Sequence, residues 1–109
     1  MLPALYWVMN ESIVHAPVHL GALVRAAFRE EALAALERLG EAPGGVLVVD
    51  LSVTQRLDSA GLGTLVMLQM RAAERRCSVT LRDASEEIRF LLLMTRLEDR
   101  FVIEPRARD

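Results

Sequence analysis

The sequence predicts a single-domain α/β fold, and three observations carry the prediction. A continuous apolar run rich in β-branched valine, Val46 to Val49, sits between Gly45 and Asp50 as a central strand covered on both faces does. Amphipathic helical patterns alternate with short extended runs on either side of it, which implies parallel strands joined through helices. The chain has 109 residues, 52% of them hydrophobic and 26% charged, enough for one packed core under a solvated surface.

Along the chain, Ala4–Met9 reads as a strand, and a second extended stretch runs from about Ser12 to Val24 with a break at Pro17. These form an initial, antiparallel edge pair. Between Ala26 and Leu39, Phe28, Ala32, Ala35, Leu36 and Leu39 recur at helical spacing, with Glu30, Glu31, Glu37 and Arg38 on the other side. No Ser, Thr, Asp or Asn precedes this helix, but Gly40 and Pro43-Gly44-Gly45 end it. After the central strand, Ser59 to about Arg75 is helical and Ser78–Leu81 is a strand. Ser85 caps a third helix that runs to Thr95, with Glu86 and Glu87 at the positive end of its dipole. Phe101–Ile103 is a last short strand, and the tail from Glu104 to Asp109 frays.

Composition excludes several function classes. A net charge of −2 offers no pull toward nucleic-acid phosphates or anionic lipid. The single cysteine, Cys77, rules out an internal disulfide, and with two histidines it makes no metal-ligand pattern. No apolar run reaches the ~18 residues of a membrane-spanning helix, and the apolar start lacks the basic flank of a signal peptide, so a reducing, cytoplasmic setting is expected. No nucleophile–base pair is visible, hence no enzyme and no cofactor are expected. Gly61 and Gly63 lack the spacing and lysine of a phosphate-binding loop. Asp50, at the end of the buried strand, reads as a structural hydrogen-bond acceptor, and His15 and His19 as surface residues.

The informative stretch is Asp50-Leu51-Ser52, followed by Asp58-Ser59-Ala60-Gly61-Leu62-Gly63 at a helix start. It resembles the signature of the STAS family, of the anti-sigma factor antagonist type. Weaker likeness extends to Leu20-Gly21-Ala22-Leu23 and to Ile88, Leu91, Leu92, Thr95, Leu97 and Phe101. The resemblance implies a four- or five-stranded mixed sheet, its central strands parallel, packed by three to four helices. It also implies a partner-switching role, in which the module captures an anti-sigma factor serine kinase, the kinase inactivates it by phosphorylating Ser59, and a phosphatase reverses this. Three positions depart from the family pattern: Val24 replaces an acidic residue, Arg56 an apolar one, and Arg96 the glycine that often closes the third helix.

Two surfaces follow. With Leu62 at the centre of the buried face of its helix, Thr64, Met67, Leu68, Arg71 and Arg75 turn outward, and a partner surface of Asp58, Ser59, Ala60, Gly61, Thr64, Met67 and Leu68 is expected. On the third helix Ile88, Leu91 and Leu92 form the core stripe, leaving Phe90 and Leu93 on the opposite face as a second surface, covered by the chain termini, by a homodimer or by a partner. The alternative function is an accessory subunit of a lipid or anion transport system.

Overall fold

The computed structural model describes residues Asn10–Glu104. Among these, the strands β1 (Glu11–His15), β3 (Val46–Asp50), β5 (Ser78–Arg82) and β6 (Val102–Ile103) form a sheet in the order β1-β3-β5-β6, with every pairing parallel. Two short strands, β2 (His19–Leu20) and β4 (Arg56–Leu57), pair in parallel apart from it. The helices are α1 (Arg25–Glu37), α2 (Ser59–Glu74) and α3 (Glu86–Met94), with a 3-10 turn at Glu98–Arg100. The antiparallel partner expected at Ala4–Met9 lies outside the described residues, as does most of the tail from Glu104 to Asp109.

The central position of β3 follows from its composition. Leu47 and Val49 alternate toward the helices and join Val14, Val79 and Leu81 in the core, while Val48 points to the opposite face and is also fully buried. The expected coverage on both faces is present. Helix α1 seats Phe28, Ala32, Ala35 and Leu36 against β1 and α2, with Val24 at its N-cap making no side-chain cap bond. It ends as expected, with Gly40 at φ 74°. Ser85 caps α3 by accepting a hydrogen bond from the Ile88 N–H at 3.2 Å.

Helix α2 corrects the sequence reading. Its buried stripe is Gly61, Thr64, Leu65, Leu68 and Ala72, so Leu68 is 0% exposed, Thr64 is buried, and Met67 is half-buried against the core. Leu62, taken as the centre of the buried face, lies on the flank, and Met70 is exposed. The reason is Gly61, the point of closest approach: a Cβ there would land on the Leu20 carbonyl oxygen. The helix is therefore centred on a residue with no side chain, which the spacing of apolar side chains does not register.

Arg96 does the work of the missing glycine. It adopts φ 60° after α3, where its N–H bonds the Leu93 carbonyl and the Leu97 N–H bonds the Leu92 carbonyl.

Two tests of this packing follow. Gly61→Ala should lose about 1–3 kcal/mol to overpacking, whereas Gly63→Ala, whose Cβ meets nothing within 4 Å, should gain about 0.5–1 kcal/mol of helix propensity. Urea titration measures both, and equal effects would sink the assignment of the close contact. Arg96→Gly should raise stability by up to about 1 kcal/mol, because an L side chain is costly in the left-handed region. A lower unfolding midpoint would show that the Arg96 side chain outweighs that strain.

Candidate functional site

The site is built where β2, β4 and the start of α2 meet. Thr54 Oγ1 donates to the Pro17 carbonyl at 2.8 Å, and the Gln55 N–H donates to the Val18 carbonyl at 2.7 Å, which ties the loop after β3 to the loop after β1. Asp58 then joins the two segments at a single carboxylate. Its Oδ1 accepts from the Gly61 N–H at 3.0 Å, capping α2, and its Oδ2 accepts from the Ala22 N–H at 3.3 Å. His19 Nε2 stands 3.7 Å from Oδ2. The Asp58 N–H in turn donates to the Leu20 carbonyl at 3.3 Å.

This arrangement assigns the cap to Asp58 and not to Ser59. Ser59 is the first residue of α2 and is exposed, beside the half-buried Ala60. An anion on Ser59 would lie at the positive end of the α2 dipole, which favours negative charge. Of the expected partner residues, Asp58, Ser59, Ala60 and Met67 reach the surface, whereas Gly61, Thr64 and Leu68 are buried. Thr64 Oγ1 donates to the Ala60 carbonyl at 3.0 Å within the helix.

One exposed residue, on a turn tied to Asp58, escaped the sequence reading. The Val24 N–H donates to the Gly21 carbonyl, closing a turn that leaves Leu23 98% exposed, and the neighbouring Ala22 is held by Asp58. The clue was present in Gly21, where a Cβ would strike the Asp58 carboxylate and His19. Only the long-range contact makes it legible.

Asp50 is the structural acceptor expected, taking the Ser52 N–H at 2.8 Å, with His15 Nδ1 3.5 Å from its Oδ2. Burial pushes the Asp50 carboxyl up, but the Ser52 hydrogen bonds with nearby His15 and Arg82 outweigh it and hold it below the ordinary value. Arg82 pairs with Glu104 at 2.9 Å, and that hydrogen bond raises its pKa. Among the described residues no group of three or more His, Cys, Asp or Glu could hold a metal ion, and no helix is long and apolar enough to cross a membrane.

The hydrogen bond from Gly61 lowers the Asp58 pKa; partial burial opposes it, and the Ala22 and Ala60 amides and His19 add to the lowering. The folded value lies below the unfolded one of about 3.9, so the unfolded state binds more protons between them and stability rises with pH there. Asp58 should thus contribute fully above about pH 4, its contribution fading as the pH falls through the folded value. Asp58→Asn keeps an acceptor for Gly61 and removes the charge. The stability gap between wild type and Asp58→Asn should therefore be widest near neutral pH and close on acidification; a pH-independent gap would mean the ionised carboxylate is not what holds the two segments.

Comparison with known proteins agrees with this geometry. A family model described as "Mlab, STAS domain" matches residues 7–104. No curated protein matches the chain. Among solved structures, a sulfate transporter family protein from Wolinella succinogenes superposes with a TM-score of 0.66 at 15% identity, covering 87% of this chain and 77% of that one. That likeness speaks to the fold. With the family model spanning all of the described residues and the Asp58-Ser59 helix start in place, the chain belongs to the STAS domain family.

Proposed function

We propose that the protein is an anti-sigma factor antagonist, a binding module without catalysis of its own that is switched by phosphorylation of Ser59. The observation that carries this reading is the exposure of Ser59 at the first turn of α2, next to a carboxylate that already caps the helix. Because Asp58 holds the cap, the Ser59 hydroxyl is free of that duty and modification leaves the helix start intact. A phosphate adds about −1.5 to −2 charges, which the first-turn N–H groups tolerate.

The unphosphorylated surface of Asp58, Ser59, Ala60 and Met67, with Leu23 beside it, captures an anti-sigma factor serine kinase in the cytoplasm. Leu23 and Met67 supply apolar contact and the serine supplies the switch. Once the kinase has transferred the terminal phosphoryl group of ATP to Ser59, a strongly negative patch stands among these contacts, and repulsion and desolvation weaken docking. A phosphatase restores the binding form. Neither step needs a cofactor on this chain.

A second reading, an accessory subunit of a lipid or anion transport system, draws support from the description of the matching family and from the sulfate transporter family neighbour. The same face would then dock on a transporter component. The two readings differ in partner rather than in surface.

Ser59→Ala should fold and bind an anti-sigma factor serine kinase from the same genome constitutively, while Ser59→Asp should fold with similar stability and bind at least ~10-fold more weakly. Calorimetric titration measures both, alongside an ABC-type transport ATPase from the same genome as the rival ligand. Phosphorylation of Ser59→Ala by that kinase, or full-strength binding by Ser59→Asp, would move the switch elsewhere. Binding to the ATPase alone would select the transport reading.

A further inference from the structure

Helix α3 presents two features side by side. Between β4 and the start of α3 lies a hollow of about 390 Å³ whose lining includes the apolar Leu57, Ile88 and Leu91 and the charged Arg56 and Glu87. Next to it runs an apolar ridge: Phe90 is 61% exposed and Met94 64%, with Leu93 at 58% on its far flank. Glu87, Leu91 and Met94 follow one another at helical spacing along one face, and Phe90 borders that row, so the ridge and the hollow share an edge. Ile88 and Leu92 already complete the core stripe of α3. The ridge is therefore surplus to the fold.

We propose that this face is a self-association surface whose occupant is a second copy of the chain, related by a two-fold axis. The argument is self-complementarity. A two-fold that lowers the ridge of one copy into the hollow of the other performs the reverse insertion by symmetry, so both apolar features are covered at once. The charges agree with it. Arg56 and Glu87 both line the hollow, and neither takes part in an ion pair among the described residues. In the paired arrangement Arg56 of each copy meets Glu87 of the other, twice over. Such exposed pairs add little affinity but fix the register, while Phe90 and Met94 supply the contact. The remaining charged pair on the rim, His19 and Asp58, is already satisfied within the chain.

The inference needs no partner protein and stands apart from the Ser59 reading. Sedimentation equilibrium on the purified chain from about 1 to about 200 μM should show a monomer–dimer equilibrium. Phe90→Ser combined with Met94→Gln should be monomeric throughout, with the wild-type thermal midpoint at a concentration where both are monomers, both residues being exposed. Arg56→Glu and Glu87→Arg should each weaken the dimer about tenfold, and an equimolar mixture of the two should recover it, because the mixed pair restores both cross-contacts. A wild-type chain that stays monomeric to the highest concentration overturns the proposal. So does a Phe90/Met94 variant that dimerises like wild type, or a charge-reversed mixture no tighter than its components.

Discussion

The structure depends on the approach of Gly61 to the Leu20 carbonyl, sealed by the Asp58 carboxylate. A helix start and a two-residue strand meet there at a separation that only a residue without Cβ permits. Asp58 closes the contact from both sides, donating its N–H to Leu20 and accepting from Gly61 and Ala22. The short strands β2 and β4 are too brief to be stable as an isolated pair. The Leu20–Asp58–Gly61 contact gives them an anchor.

From this contact the rest of α2 follows. Fixing Gly61 inward rotates Leu65, Leu68 and Ala72 onto the core and leaves Met70 in water. It also decides what Ser59 can do. Two residues before the point of contact, on the first turn, the serine is carried outward, while the capping role falls to its neighbour. Cap and candidate switch are thereby separated, and a charge can be added at one without removing the other.

The ends of the parallel strands gather the remaining polar chemistry. Asp50, at the end of β3, is pinned by Ser52 with His15 close by, and Arg82 at the end of β5 is pinned by Glu104. These groups are committed to structure. What remains uncommitted lies around the α2 start and along α3, where exposed apolar side chains, Leu23 on one element and Phe90 and Met94 on the other, stand beside charges with work still to do. In an α/β sheet the loops beyond the strand carboxyl ends are where function usually collects, and here the candidate switch follows β3 on that side.

The helices and the strands of the main sheet in their order, the burial of Leu47–Val49, the Ser85 cap, the stop at Gly40 and the exposure of Phe90 and Leu93 were legible in the sequence, because each rests on local spacing or on a residue type with one dominant use, whereas the two-residue strands β2 and β4 were not. The Asp58-Ser59 motif likewise pointed to the right helix start. What only the tertiary structure decided is which side of α2 faces inward, and that the turn carrying the exposed Leu23 is tied to Asp58. Those answers hang on contacts between residues 36 to 41 positions apart, and on a glycine whose contribution is the absence of a side chain. A pattern of apolar residues along one helix carries no record of either.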